Sequence, residues 1–487
     1  MDIVIDLSSV YNFFNLSPDL IFWRLFLLFG WIPIALTFLW GVKESWLFYI
    51  RTKWSGTNKF ILLAIDIPRG NEQTAKAVEN LFTYFGGAHK TLNLIETYWE
   101  GQFQLSFSFE IISIEGYTQF LIWTPASLRD LVESAVYSQY PDAEITEVDD
   151  YTESLPDKFP DEEYDLWGCE FIQAKNPMYP IKTYEEFEHN LGDPETQYKD
   201  PMASLMDLYS SLRRGEQLWF QMLVKPMGFD WPEKGEIEVG RILGEKAPPT
   251  FANKIIDGIV DWMGKVSEAI YKLWGDIEEK KKDEKDDILK MMNLRPKQKK
   301  QVEGISEKIS KLGFEWKSRM VYVAKKEVMN KPKVVNGFVG YMKQFMDLDL
   351  NNLKPDMDKT ATSVDYFFED YRLNIRKNKI MRAYKGRSTT KGRKMGIMNI
   401  EELATLWHFP AESVVKAPLI QKAPGRKAGP PIQLPIGEEI VSEESPEPMF
   451  LEEEKKTHGE DFFAKGREIE TKKDSVSSSP PPDLPVI

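Results

Sequence analysis

The feature that most constrains this chain is the run over residues 20–40, LIFWRLFLLFGWIPIALTFLW, which is 21 residues long with a single charge at Arg24. A helix apolar on every side needs an apolar surrounding, and a bilayer supplies one. As a helix the run is about 31 Å long, against a hydrocarbon layer of roughly 30 Å. It therefore reads as a transmembrane helix over residues 20–41, with Leu20, Trp23, Arg24, Trp31, Pro33 and Trp40 as its anchoring residues. The outer tryptophans suit the interfacial belt, Arg24 reaches the headgroups from near one end, and Pro33 is expected to kink the helix. A cleaved signal peptide fits less well: Asp2, Asp6 and Asp19 stand where a basic head belongs, and no A-x-A site follows. Lys43, Arg51 and Lys53 come after the run. Positive-inside logic then places residues 1–19 outside, and residue 42 onward, starting with a juxtamembrane linker over 42–58, in the cytoplasm. The expectation is a single-pass protein of the cell (inner) membrane.

The remaining chain is long enough for several compact domains. Of its 487 residues 42% are hydrophobic and 28% charged, ordinary values for a chain with a buried core. The net charge of −14 argues against nucleic-acid binding by bulk charge, though it leaves room for a local basic stripe. A single cysteine, Cys169, cannot make an internal disulfide, and the four histidines (His89, His189, His408, His458) show no metal-ligand spacing.

From residue 59 the pattern alternates between strand and helix periods. KFILLAIDI (59–67) reads as a buried strand, and 71–85 as a helix carrying Ala75, Val78, Leu81, Phe82 and Phe85 on one face. QFQLSFSFEIISI (102–114) and 117–123 form a hairpin about Glu115-Gly116. A helix over 125–140 and a strand over 143–148 follow. The order β-α-β-β-α-β is that of a ferredoxin-like unit, here over 59–151. The same order recurs over 163–354: strand 165–173, helix 201–212, strands 217–224 and 314–324, helix 333–346, and a closing strand within 348–353. An insertion of about residues 226–312 separates the middle strands of this second unit. The fold class expected is α+β: a transmembrane helix, two ferredoxin-like units, the second with a helical insertion, and a disordered tail.

Three segments carry candidate contacts. Within the insertion, Ile255, Ile259, Trp262, Met263, Val266, Ile270 and Trp274 follow Phe251 at helical spacing. That stripe fits a core or coiled-coil face, or else a helix lying on the inner leaflet or on a partner. Within 355–423, the cations Arg372, Arg376, Lys377, Lys379, Arg382, Lys385, Arg387, Lys391, Arg393 and Lys394 occur with no acid among them. They fit a solvated loop, an acidic partner, or phosphates of DNA. Asn399 and Glu402 then have capping-box spacing at the head of a short helix. Residues 424–487 are rich in Pro, Glu, Lys and Ser and read as a disordered tail.

Catalytic signatures are not found. No GxxxxGK[ST] loop and no GxSxG elbow occurs, and the acid pairs Asp149-Asp150 and Glu162-Glu163 fall at a strand end and in a polar loop. No catalytic, cofactor-binding or metal residue is assigned, no cofactor is expected, and the chain reads as a non-enzyme.

Several segments in order carry a resemblance: IPRGNEQTAKAVENLF (67–82), FSFEIISIEG (107–116), LVESAVYSQYPDAEITEVDDY (131–151), MYPIKTYEEFE (178–188), DPMASLMDLYSSLRRGEQLWFQMLVKP (200–226), GFEWKSRMVYVA (313–324) and NIEELATLWHFP (399–410). Across about 350 residues the chain resembles a membrane-anchored N-terminal region, a domain of unknown function, found ahead of the P-loop DNA-translocating ATPase domain in conjugation-type, type IV secretion-like bacterial proteins. KAPLIQKAPGRKAGPPIQLP (416–435) resembles the connector to that domain, but an acidic stretch follows it here. The resemblance implies a non-catalytic adaptor of a DNA-transfer complex. Its partners would be the membrane, a separately encoded P-loop ATPase, DNA through the basic segment, and further copies of itself. The alternative is an envelope-associated structural or interaction protein outside DNA transfer.

Overall fold

The computed structural model of the chain describes residues 17–68, 73–187, 200–245 and 294–410. The stripe from Ile255 to Trp274 and the tail over 424–487 lie outside the described residues.

The N-terminal apolar run forms two helices rather than one. Helix α1 (Pro18–Phe29) ends at Gly30, whose N–H bonds the Phe26 carbonyl at 2.6 Å, and α2 (Trp31–Ser55) starts directly after it. The break has a local cause. Pro33 has no N–H to offer the Phe29 carbonyl four residues back, and its ring crowds that carbonyl. With 12 residues, α1 is about 18 Å long. Helix α2 has 25 residues but reaches Lys43 and Glu44 midway. No helix among the described residues is long and apolar enough to cross a membrane. The transmembrane helix expected over 20–41 is therefore corrected, and so is the fold class written around it. The composition of the run suited a bilayer, but its continuity as a helix fails at Gly30–Pro33.

The body is built on one nine-stranded sheet. Its strands are β1 (Phe60–Asp66), β2 (Phe107–Ile114), β3 (Tyr117–Pro125), β4 (Glu144–Val148), β5 (Tyr164–Gln173), β6 (Glu216–Pro226), β7 (Gly313–Lys325), β8 (Leu353–Pro355) and β9 (Gly396–Asn399). The order across the sheet is β4-β1-β3-β2-β6-β7-β5-β8, with β9 added beside β7, and every pairing is antiparallel. Within each half the strands follow the ferredoxin-like order 4-1-3-2. The halves are joined edge to edge: β2 pairs with β6 from Phe107↔Val224 to Ile114↔Gln217. Such pairing leaves neither half with a free edge at the seam.

Alternation along each strand sends residues to two different cores. Leu63 and Ile65 of β1 join the larger core, while Leu62 and Ala64 join the other. Helices α3 (Ala75–Gly86), α4 (Arg129–Gln139), α5 (Met202–Ser210) and α8 (Lys331–Lys343) cover the first face, with Phe82, Phe85, Val136, Met206 and Phe338 among its buried residues. The insertion contributes α6 (Pro232–Ile242) and α7 (Pro296–Ile309), which pack on each other.

Two further helices follow β8 in the chain. Helix α9 (Glu369–Lys385) lies on the second face, where Ile380, Met381 and Tyr384 meet Trp219, Val321 and Val323. Helix α10 (Ile400–Leu406) packs on α3, and the adjoining Trp407 stands 5.1 Å from Phe109, ring to ring. Its start is the capping box written in its sequence: Glu402 N–H bonds Asn399 Oδ1 at 2.9 Å, and Asn399 N–H bonds Glu402 Oε2 at 3.0 Å. The last described residues thus complete the core of the first half of the sheet.

Candidate functional site

The second face carries a row of polar side chains across four adjacent strands, β2, β6, β7 and β5. Glu110 of β2 stands opposite Gln221 of β6, Gln221 opposite Arg319 of β7, and Arg319 opposite Glu170 of β5. Each sits in a largely apolar strand, and all are buried. Gln221 Nε2 donates to Glu110 Oε1 at 3.0 Å, Arg319 Nη1 to Gln221 Oε1 at 3.1 Å, and Arg319 Nε to Glu170 Oε1 at 3.0 Å. The row exists because adjacent strands put facing residues within side-chain reach.

The segment after α9 closes over this row. Arg387 Nε and Nη2 donate to the two Glu110 oxygens at 2.9 and 3.2 Å, and Arg387 Nη1 donates to Asp150 Oδ2 at 2.6 Å. Tyr151 donates to Glu110 Oε2 at 2.9 Å and meets the Tyr384 hydroxyl at 2.9 Å. Arg393 grips Asp356 through Nε and Nη2 at 2.9 and 2.7 Å, and its N–H bonds Glu170 Oε2 at 2.7 Å. Gly392 is required by the same approach. Its φ is +93°, and a Cβ there would lie 2.1 Å from Glu170 Oε1.

Burial sets the electrostatics of this cluster. It opposes the charge on Arg387, but the Glu110 and Asp150 carboxylates outweigh it and hold the guanidinium above its ordinary pKa. Burial also opposes the charge on Asp150, where the Arg387 bonds win and hold the carboxyl below its usual value. Lys317 is different. Its ammonium bonds the carbonyls of Thr389 and Lys391 at 2.6 and 2.9 Å, and burial pulls its pKa down to about 8 against the attraction of Glu170. Each charged member is bonded within the fold, and Glu110, Glu170, Arg319, Arg387 and Lys317 are also buried. The arrangement is suited to clamping α9 and the 386–395 loop onto the sheet.

The ten cations of the basic segment divide accordingly. Arg387 and Arg393 belong to the clamp. Lys377 pairs with Asp165 and Lys385 with Asp157. Arg376 donates to the carbonyls of Met357, Asp358, Ala361 and Ser363, and Arg372 to those of Asp365 and Phe367. Lys379, Arg382, Lys391 and Lys394 have exposed side chains. The segment is therefore a helix and a loop whose cations chiefly organise the protein, and four are left for any anionic contact.

Under the other core a second buried cluster holds α10. Lys308 Nζ meets Glu402 Oε2 at 2.8 Å with both side chains fully buried, and His408 Nε2 meets Asp200 Oδ1 at 2.9 Å. Among the described residues no group of His, Cys, Asp or Glu is placed to hold a metal ion.

Two apolar surfaces remain exposed. The first is the N-terminal pair of helices. Leu20, Trp23, Trp31 and Trp40 are exposed, as are Arg24 and Pro33, and so are the neighbours Phe22, Phe26, Ile34, Phe38 and Leu39. The second is the loop before α9, where Phe367 and Phe368 are 84% and 82% exposed beside Tyr366 and Tyr371. Tyr366 and Phe368 sit at φ +66° and +56°. Bulky side chains rarely adopt that region, at a cost of roughly 1–2 kcal/mol each.

Reasoning from sequence did not find the polar row, the exposed aromatic loop, or the exposed turn over 94–99 beside α2. For the row a signal existed: a charged or amide residue set among apolar neighbours in each of FSFEIISI, EQLWFQMLVKP, GFEWKSRMVYVAK and YDLWGCEFIQ. Pairing them requires the register. Among known families, the model described as a domain of unknown function (DUF8128) matches residues 89–421. No curated protein matches the chain.

Proposed function

The chain belongs to the DUF8128 family, and we propose that it works as a non-catalytic adaptor, tying a separately encoded P-loop ATPase of a DNA-transfer system to a membrane. An adaptor needs a stiff body with more than one adhesive surface. The observation that carries the reading is the pair of exposed apolar surfaces, α1–α2 and the Tyr366–Tyr371 loop, on a body whose buried ionic cluster is bonded internally. Contiguous exposed apolar groups mark interaction sites in folded proteins. The strained backbone of the loop adds to this, because strain of that kind persists where function requires it. Acidic Asp365, Glu369 and Asp370 flank the loop, which suits an apolar pocket with a basic rim on the motor. The resemblance of the sequence to the region ahead of DNA-translocating ATPases supports the identity of the partner.

The test is affinity purification of the full chain from detergent-extracted cells under conditions that preserve complexes. A P-loop ATPase should co-purify, and Phe367→Asp with Phe368→Asp should release it. Purification without any ATPase, from cells that make the intact complex, defeats the reading. DNA contact through the basic segment has less support, since Arg372, Arg376, Lys377, Lys385, Arg387 and Arg393 all have partners inside the fold.

A further inference from the structure

The apolar run does not end at the body of the protein; it meets a second exposed surface there. Residues Leu94 and Ile95 lead into a π-helical turn (Glu96–Glu100) that packs against α2. The packing is specific. Trp46 Nε1 donates to the Tyr98 carbonyl at 2.8 Å, and the Trp46 and Trp99 rings lie 5.8 Å apart. Lys43 Nζ stands over the Tyr98 ring at 5.7 Å. One turn further along α2, Leu47 and Ile50 are buried, and Gly101 approaches so closely that a Cβ there would lie 2.5 Å from the Ile50 carbonyl carbon. The contact fixes α2 to the body at residues 46–50. Yet Leu94 and Trp99 on the outer side of the turn remain 77% and 73% exposed, beside exposed Ile95 and Tyr49.

We infer that this shelf, formed by Trp46, Tyr49, Leu94, Ile95, Tyr98 and Trp99, rests in the headgroup layer of a lipid surface. Three observations select lipid over a protein groove. First, α2 is exposed around its circumference from Trp31 to Val42, with Ala35 and Gly41 half-buried. A partner groove covers one side of a helix, whereas lipid chains cover all sides. Second, the side chains change character at one level. The uncharged run ends at Lys43 and Glu44, and the turn brings Tyr98 and Trp99 against Lys43 and Trp46 from another part of the chain, with Lys90 paired to Glu96. That mixture suits the boundary between hydrocarbon and water. Third, local charge is nearly balanced: Lys43, Arg51, Lys53 and Lys90 against Glu44, Glu96 and Glu100. A near-neutral shelf suits entry into zwitterionic headgroups by burial of apolar and aromatic surface, with little need for anionic lipid. The contact concerns one leaflet and requires no crossing helix. It deepens the adaptor reading by naming what lies beneath the body, and it is tested without any ATPase.

The experiment uses the full chain, exchanged from detergent into phosphatidylcholine vesicles, with and without about a quarter phosphatidylglycerol. Cys169 is the single native cysteine and is buried, so a fluorophore on Ile95→Cys reports the shelf alone. Quenching by lipids carrying nitroxides at the headgroup or along the acyl chain gives its depth. The same label on Lys333→Cys, at an exposed position of α8, is the reference in water. The expected result is flotation with both vesicle types, strongest quenching of the position-95 label by headgroup nitroxides, and its protection from aqueous iodide. A triple variant, Leu94→Asp, Ile95→Asp and Trp99→Asp, should lose that protection with its circular dichroism unchanged, and its vesicle partition should fall by about tenfold or more. The inference is overturned if the chain fails to float. It is overturned equally if the position-95 label on floated protein is as open to iodide as the position-333 label, or if the triple variant partitions unchanged. A shelf in lipid with no ATPase recovered from cells would sink the adaptor reading and leave this one standing.

Discussion

Arg387 meets Glu110 across 277 residues of chain through two hydrogen bonds, Nε to Oε1 at 2.9 Å and Nη2 to Oε2 at 3.2 Å, with both side chains buried. The pair joins the loop after α9 to the central strand β2. Removing the cation leaves a carboxylate in a place water does not reach. Arg387→Met should therefore destabilise the chain by about 3–5 kcal/mol, measured by urea unfolding. The double variant Glu110→Gln with Arg387→Met should cost less than the two single changes added together. A loss below about 1 kcal/mol for Arg387→Met would show that the clamp is not what holds α9.

Lys317 predicts an unusual alkaline rise in stability. Burial pulls its pKa to about 8, against an ordinary 10.5. Between these values the unfolded chain keeps the proton and the folded chain has released it, so stability increases with pH. From pH 7.5 to 9.5 the parent should gain about 1–2 kcal/mol relative to Lys317→Met. Equal slopes for the two proteins over that window would contradict the assignment. Above pH 10 the effect should be offset by Tyr151 and Tyr384, whose hydroxyls burial raises well above 10.0.

On the acid side stability again rises with pH, here because the folded state holds its carboxyls ionised. Burial opposes the charge on Asp150 and Asp356, but their bonds to Arg387 and Arg393 hold both carboxyls below the usual 3.8. Their contribution is complete above that value and disappears as pH falls through the lower folded values. Asp356→Asn should be less stable than the parent at pH 6, and the difference should shrink between pH 4 and pH 2.5. Denaturant midpoints across that range measure it, and a gap that stays constant rules the ion pair out as its cause.

Gly392 and Gly244 form a matched pair of tests. Both have positive φ, +93° and +80°, but only Gly392 faces an obstacle, the Glu170 carboxylate at 2.1 Å from a built Cβ. Gly244→Ala should cost about 1 kcal/mol from backbone strain alone. Gly392→Ala should cost about 2–4 kcal/mol, because Glu170 must also give up its place against Arg319. Equal losses in thermal unfolding would mean that the close approach at Glu170 is easily relieved.

Phe368 separates stability from partner binding. Its φ of +56° suits glycine better than phenylalanine, and its ring is exposed. Phe368→Gly should leave the chain as stable as the parent or up to about 1 kcal/mol more so, while weakening retention of the ATPase. Reduced stability without any change in retention would assign the loop a role inside the fold.

The order of strands and helices in both halves of the sheet was legible because it rests on local patterns. A strand such as FILLAID and a helix face such as Val78, Leu81, Phe82 and Phe85 each show their period within about ten residues. The joining of the halves through β2 and β6 was not legible, since edge pairing leaves no mark within either strand. Helix α9 was missed for another reason. It is mostly polar, and its stabilising partners, Asp165 and Asp157, lie more than 200 residues away.

The N-terminal run marks the same boundary from the other side. Sequence by itself determined that residues 20–40 are apolar enough to need surroundings other than water, because that follows from side-chain chemistry summed along the chain. Only the tertiary structure decided that the run is two helices with a break at Gly30, and that α2 is seated on the turn at Tyr98 and Trp99. It likewise decided that six of the ten cations from Arg372 to Lys394 bond within the fold. The hydrogen bonds and ion pairs that settle these points join residues far apart in sequence, and only the folded chain brings those partners within reach.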